Sequence, residues 1–404
     1  MSEWKEFKLK EIAEFNPETL TVKNNWKEIN YLDTGNITRG VIDTLQFLSS
    51  DGDNIPSRAK RIVRSNDIVY STVRPNQEHY GLIKVPAHNM IVSTGFTVIR
   101  AKNAKCDSGF LYYFMTLPDN TEYLSNVAED STTAYPSIKP DVIMDMDILL
   151  PLIPEQKAIA EILSSLDDKI DLLNRQNKTL EDLAETYFRQ WFIEEADEYW
   201  KVGRLEDVAS IQNGYSFSSK DYVGYDYNTL EVFKMGHISP DGGLRVQPKT
   251  DFVHRVEKLK KWTLNQEDIV MAMTDMKDNV VILAVPALID KSDKYVLNQR
   301  VARITLKNDL LVDVLLLYYQ LKNKDFIAEL QSKANSGVQV NLTTESIKRS
   351  NITIPKKNVQ QSMIEIIRPI YNKIHANSTQ AKTLQKLRDT LLPKLISGEV
   401  KVKM

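Results

Sequence analysis

Between Pro154 and the next helix breaker, Gly203, apolar residues return in alternating steps of four and three: Ile159, Leu163, Leu166, Ile170, Leu173, then Asn177, Leu180, Ala184, Tyr187 and Trp191. A repeat of 3.5 residues marks a helix with one narrow stripe packed along another helix. Pro-Glu at the start suits a first turn and its dipole, so the spacing predicts one helix on the order of 60 Å long. The same stripe returns as Met363, Ile367, Ile370, Ile374, Asn377, Ala381, Leu384, Arg388, Leu391 and Leu395, ending near Gly398. Pro369 stands in the second or third turn of that helix and is expected to kink it.

The return is part of a duplication. A shift of 204 lays residues 137–198 on 341–402 without a gap, a shift of 196 lays Trp4, Leu9, Ile12 and Ala13 on Trp200, Leu205, Val208 and Ala209, and a shift of 201 lays Asp67-Ile68-Val69 on Asp268-Ile269-Val270. The chain is therefore two copies of one unit, a globular part followed by a long helix. If the helices lie antiparallel with full overlap, facing residue numbers add to about 554, which sets Leu163 against Leu391, Ile170 against Leu384 and Asn177 against Asn377. The two asparagines of the seams would meet, and a buried polar pair of this kind fixes register at a cost in stability. Two unrelated amphipathic helices, each buried in its own domain, are the alternative.

Within the globular parts, short β-like runs follow an amphipathic opening: Glu28–Leu32, Arg61–Tyr70 and Met90–Arg100 in the first, then Leu230–Met235, Asp268–Thr274, Val280–Val285 and Arg300–Leu306 in the second. Each part continues with a helix (Gly109–Leu117, Val312–Leu321), a polar loop, and a strand ending at Pro151 or Pro355. The expected class is α+β, a mixed α/β fold with an irregular sheet in each copy. The expected order is a first recognition-type domain at 1–151, a helix at 152–198, a second domain at 199–355, and a second helix with tail at 356–404.

Composition is that of an ordinary globular protein, with 42% hydrophobic residues in 404. Cys106 is the sole cysteine, no stretch at the start resembles a signal peptide, and no apolar run approaches the roughly 18 residues of a membrane span, so the cytosol is the expected compartment and no membrane partner is expected. The formal charge of -2 hides a division: residues 154–200 hold 5 Lys/Arg against 12 Asp/Glu, and residues 354–404 hold 10 against 3. The two helices should attract, although exposed ion pairs contribute only about 0–1 kcal/mol each.

Similarity between the copies is lowest in the loops, where clustered cations gather. Arg58, Lys60, Arg61 and Arg64 in the first copy correspond to His254, Arg255, Lys258, Lys260 and Lys261 in the second. Such clusters fit phosphate contacts, and solvated surface loops give the same pattern. Beside them lie Thr72, Arg74, Asn76 and Gln77, and Thr274, Lys277 and Asn279, each set just after its Asp-Ile-Val strand. Arg, Asn and Gln can read guanine and adenine edges bidentately. Thr133 and Tyr135, Ser336 and Gln339, and Ser218, Ser219 and Lys220 of the second copy's opening have the same polar character.

Catalytic signals are missing. His79, His88, His237, His254 and His375 show no metal-ligand spacing with Cys106, there is no GxxxxGK[ST] phosphate loop, and Asn16-Pro17-Glu18 lacks the second Pro and the aromatic of an amino-methylating motif. This chain by itself is expected to be no enzyme.

The paired segments LLPLIPEQKAIAEIL and ITIPKKNVQQSMIEII, the helix ends LAETYFRQWF and LRDTLLPKLISGEV, the NGYSFSSKDY opening and the KMGHI and Asp-Ile-Val strands resemble those of specificity subunits of type I restriction-modification systems, over essentially the whole chain. The most specific piece is LLPKLISGEV, and IPKKNVQQ departs from the more usual Pro-x-x-Glu-Gln by its basic start. The resemblance implies two target-recognition domains held apart by two helices, each domain reading half of a split, asymmetric double-stranded DNA sequence. It further implies two methyltransferase subunits docked on this chain and restriction subunits joined through them. S-adenosylmethionine, ATP and magnesium would belong to those partners, and no cofactor to this chain. A repeat adaptor that holds two copies of a protein partner without reading DNA is the second class the sequence allows.

Overall fold

The computed structural model describes residues 4–24, 26–49, 52–130, 136–246, 248–276, 280–307, 310–336 and 339–402. Two compact units divide the chain: Met1–Leu173 with Gln380–Met404, and Asn174–Thr379. Each unit thus takes in one globular part, one end of the first long helix and the opposite end of the second.

In the first unit, Lys5–Lys8 pairs antiparallel with Asp147–Leu150, closing the globular part on itself just before the long helix begins. A four-stranded sheet orders its strands as 13–15, 96–101, 67–71 and 80–83. A second sheet orders them as 46–49, 28–32, 90–93 and 59–62, with 90–92 parallel to 30–32. The second unit repeats this plan. Lys201–Arg204 pairs with Asn351–Ile354, one sheet runs 209–213, 301–306, 269–272 and 286–288, and the other runs 222–223, 252–254, 229–233 and 295–297. Where the first unit places the strand Ala59–Ile62, the second has the 3-10 helix Glu257–Trp262.

The expected runs Arg61–Tyr70 and Met90–Arg100 each split into two strands, because their apolar residues continue while the chain passes from one sheet to the other. Val280–Val285 is not a strand. Its backbone is drawn into a turn around the buried Asp275 carboxylate, which accepts N–H bonds from Val281 and Ile282 at 2.7 and 2.6 Å, and Ala284 sits at φ +65°. The polar stretches after the expected helices also form helices, Pro118–Glu129 and Lys324–Ser332, each burying a thin stripe such as Leu124 and Ala128, or Leu330.

Both long helices are continuous: Ile153–Arg189, closed by a π-helical turn at Gln190–Glu194, and Lys357–Ile396, which runs through Pro369 as one element. A buried glutamine fixes each start. Gln156 donates to Pro151 O at 2.9 Å and accepts from Asp107 N–H at 2.8 Å, while Gln360 donates to Pro355 O at 2.7 Å and accepts from Val312 N–H at 2.8 Å. These bonds tie the start of each long helix to the segment that opens the shorter helix of the same unit.

The seam residues are buried or partly buried along both helices, including Leu163, Leu166, Ile170, Leu173 and Leu180 on the first and Ile370, Ile374, Leu384 and Leu391 on the second. Pairing is antiparallel, within one position of the expected register. In the first unit Arg388 bonds Asp167 at 2.7 Å. In the second, Asn177 donates to Ser378 Oγ at 3.0 Å and Asn377 donates to Gln176 Oε1 at 3.5 Å. The asparagines do not bond each other; each reaches the residue beside its counterpart. Asn177 Oδ1 is left buried without a partner.

Charged residues of the two helices also pair with the globular parts. In the second unit the buried Lys322 ammonium is bonded by Glu181 and Glu185, and Arg368 by Asp313 and Glu267. Burial lowers the Lys322 pKa, but the two glutamates outweigh it, and the net shift is upward. In the first unit Lys84 meets Asp168 at 2.7 Å.

The core of each unit needs both helices. In the first, Leu392, Leu395 and Ile396 from the end of the second helix join Ile159 and Leu163 beneath Leu9, Ile68, Phe110 and Ile148. In the second, Ala184 and Phe188 from the end of the first helix join Ile367 and Ile370 beneath Leu205, Ile269, Leu315 and Ile352.

Replacing both Asn177 and Asn377 by Leu should remove one unpaired buried acceptor and stabilise the chain by about 1–3 kcal/mol in urea unfolding. A loss of stability instead would show that these amides hold more than register.

Candidate nucleic-acid interface

In the first unit the cations expected at a phosphate backbone divide by environment. Arg58 and Lys60 flank or lie on the strand Ala59–Ile62 and are exposed. Arg61 on the same strand is partly buried, its Nε has no hydrogen-bond partner, and burial lowers its pKa. Arg64 is exposed but paired: its Nε meets Glu18 Oε1 at 2.7 Å. Glu18 also receives Arg100 at 2.5 Å, and Arg100 bonds Asp67 at 2.7 Å. Burial raises the Glu18 pKa, yet the bonds from Arg100 and Arg64 outweigh it and hold the carboxyl below its ordinary value.

The turn that follows the Asp-Ile-Val strand exposes Arg74, Asn76 and Gln77. Arg74, Asn76 and Gln77 border a cleft of about 260 Å³ closed by Ser125, Ala128 and Glu129 of the helix Pro118–Glu129 and by Pro136. Thr72 is not part of it. It is buried and donates to Gly95 O at 2.9 Å, so it cannot reach a base edge. The turn is joined to the segment at 136–138 by Arg74 N–H to Pro136 O and Ile138 N–H to Thr72 O, both 2.9 Å. Thr133 and Tyr135 lie outside the described residues.

In the second unit the 3-10 helix Glu257–Trp262 carries most of the expected cations. Lys258 Nζ stands 5.5 Å from the centre of the Tyr215 ring and Lys261 Nζ 5.5 Å from that of Trp262, while Lys260 pairs with Glu257 at 3.4 Å. His254 is exposed at the end of its strand, and Arg255 donates to Asp293 O at 2.7 Å. Ser218 caps the 3-10 turn Ser219–Asp221 through the Asp221 carboxylate, with N–H and hydroxyl at 2.7 and 2.8 Å, leaving Ser219 and Lys220 exposed. Thr274 is buried and donates to Asn341 Oδ1 at 3.0 Å, so like Thr72 it serves the fold. Gln339 faces Met276 across a strand pair, and Ser336 pairs with Val340. Lys277 and Asn279 lie outside the described residues.

Strand pairing agrees with the shift of 201 through the two reading loops: Val73 lies opposite Ser137 and Thr274 lies opposite Asn341, so Val73 is the equivalent of Thr274. Arg74 then corresponds to Asp275. One copy presents an exposed cation where the other buries a carboxylate that also accepts Met276 N–H at 2.8 Å. Asp275 was hidden in the sequence, since an Asp in a polar loop signals nothing until the N–H groups around it are known. Among the described residues no three His, Cys, Asp or Glu side chains come together as a metal would need, and no helix is long and apolar enough to cross a membrane.

Two units of one plan, with divergent polar loops on a common frame, define a duplicated recognition protein. The family model of type I restriction modification DNA specificity domains matches residues 1–182 and again 197–386, and the chain belongs to this family. It is 24% identical to the specificity subunit of the type I restriction enzyme HindI of Haemophilus influenzae, covering 99% of this chain and 100% of that one. It is also 24% identical to the MjaIX specificity subunit of Methanocaldococcus jannaschii, over 80% of this chain and 76% of that one. The crystal structure of the type I restriction-modification S subunit from M. genitalium shares the fold, with a TM-score of 0.59 at 15% identity over 100% of this chain and 97% of that one.

Because the Glu18 pKa is depressed in the folded chain, its contribution is present above the unfolded carboxylate value of about 4.3 and is lost as pH falls through the lower folded value. Glu18→Gln should therefore flatten the acid limb of a stability-against-pH curve measured by thermal melting. An unchanged acid limb would contradict this role for the Arg64–Glu18–Arg100 cluster.

Proposed function

We propose that this chain is the sequence-reading, non-catalytic subunit of a cytoplasmic type I restriction-modification complex. Each globular part reads one half of a split, asymmetric double-stranded DNA target, and the paired helices set the gap. Two methyltransferase subunits dock on this chain, and restriction subunits join through them. S-adenosylmethionine, ATP and magnesium are then bound by those partners.

The observation that carries the partner arrangement is where the two helices stayed identical. Ile162 and Ile366, Lys169 and Lys373, Thr179 and Thr383, Leu183 and Leu387, and Thr186 and Thr390 are equivalent, identical and exposed. The fold does not require an exposed Ile or Leu, and yet Ile162, Ile366, Leu183 and Leu387 are 36, 40, 42 and 46% exposed. Apolar surface repeated in this way supports a protein partner that binds twice through the same contacts. Each unit holds one complete set: Ile162 with Leu387 in the first, Ile366 with Leu183 in the second. The charged faces differ in sign and cannot supply a twice-used site.

DNA reading is supported by the family and by the exposed Arg58, Lys60, Arg74, Asn76 and Gln77 of the first unit and the Lys258, Lys260 and Lys261 row of the second. Mapping methylated bases genome-wide in cells with and without this gene tests it. One split, asymmetric motif should vanish with the gene, and an unchanged methylation map would overturn the proposal. For docking, Leu183→Asp or Leu387→Asp alone should leave one methyltransferase subunit per chain by native mass spectrometry, and the pair together should leave none. Stability of the free chain should move by no more than about 0.5 kcal/mol, because both residues are exposed. Two bound subunits in the double variant would contradict the docking surface.

A further inference from the structure

In the first unit the exposed turn carries a side chain whose hydrogen-bonding face is set by a histidine behind it. Arg74 and Glu78, at φ +48° and +55°, bracket the 3-10 turn Pro75–Gln77. Both adopt the left-handed region that residues with a Cβ rarely occupy. They are held there from a neighbouring hairpin: Arg39, itself at φ +48°, donates its N–H to Glu78 O at 2.9 Å and pairs its guanidinium with the Glu78 carboxylate, and Gly40 N–H donates to Tyr80 O at 2.8 Å. A turn over-determined in this way offers its side chains at fixed positions.

His79 links hairpin and turn. Its Nδ1 lies 2.6 Å from Ile37 O, with Thr38 Oγ1 at 3.3 Å, and its Nε2 lies 3.2 Å from Oε1 of the Gln77 carboxamide. A carbonyl only accepts, so Nδ1 carries the proton and the neutral ring offers a lone pair at Nε2. Two acceptors cannot bond, and the two ends of a carboxamide have nearly the same shape, so we take the Gln77 carboxamide turned end for end, with its NH2 rather than Oε1 toward Nε2. One N–H of Gln77 is then committed to His79. The remaining N–H and the carbonyl oxygen face outward beside Asn76 at the mouth of the cleft, which is the donor and acceptor pair that matches N7 and N6–H of adenine.

We propose that His79 is a positioning residue that fixes Gln77 for bidentate recognition of one adenine in the half-site read by the first domain. This rests on the DNA-reading function proposed above and goes beyond it by naming a base and the pair of residues that selects it. By the shift of 201, Asp278 and Val280 stand where Gln77 and His79 do, so the second copy's sequence lacks this pair.

The test uses the full-length chain and a pool of duplex DNA with randomised positions, sequencing what is retained. Wild type should enrich a split motif. Gln77→Ala should lose at least tenfold preference at one adenine and leave the other half-site unchanged, and since Gln77 is exposed this variant folds. His79→Ala should lose preference at the same adenine by at least fivefold, and His79→Gln, whose carbonyl oxygen can accept where Nε2 did, should restore it. Gln77→Glu, an acceptor only, should move the preference from adenine to cytosine. If Gln77→Ala or His79→Ala lowers retention uniformly, changes no position, or changes the other half-site, the inference is wrong while DNA reading stands. If wild type enriches no motif, DNA reading itself fails, and the inference with it.

Discussion

One constraint governs each unit: within it the two long helices pair antiparallel in register, and its globular part has no complete core without both. Leu392, Leu395 and Ile396 come from the far end of the chain to close the first core, and Ala184 and Phe188 close the second. Burying a side chain of this size contributes about 1.5–3 kcal/mol. A slip of one heptad would withdraw several of them at once. Register is therefore enforced by the domains as well as by the seam, and the polar contacts of Asn177 and Asn377 act where no domain core constrains the pairing.

Around this scaffold the copies repeat what fixes backbone and vary what faces outward. Gln156 and Gln360 make matching bonds at the helix starts, and Asp67 and Asp268 hold the same turn, accepting Arg64 N–H at 2.7 Å and Asn265 N–H at 2.8 Å. Beyond those turns the equivalence ends. Arg74 is exposed and Asp275 is buried, a strand stands where the other copy has a 3-10 helix, and the cations of the second copy lie against aromatic rings. A frame that is repeated while its loops differ suits a target with two unlike halves.

The seam and its register were legible in the sequence because a period of 3.5 is a local signal and the duplication supplied the partner. Strand positions were legible to within a turn. Less visible was whatever depends on groups distant in sequence. Arg64 looked like a free cation until Glu18 was placed beside it, and Thr72 and Thr274 looked like loop residues until strand pairing buried them. Val280–Val285 carries the composition of a strand, and four backbone N–H groups drawn to one carboxylate override that preference. The helix charges were read only as attracting each other, and Lys322 and Arg368 show that some of them also seat the globular parts on the helices.

The central claim is that the helix pair sets the distance between two independent readings of DNA. Adding one helical turn of four residues to both helices at facing positions lengthens the pair by about 6 Å, close to two base-pair steps. Methylation mapping of that variant should show the same two half-sites with a gap longer by about one to two base pairs. An unchanged gap, or altered half-sites at the original spacing, would contradict the claim.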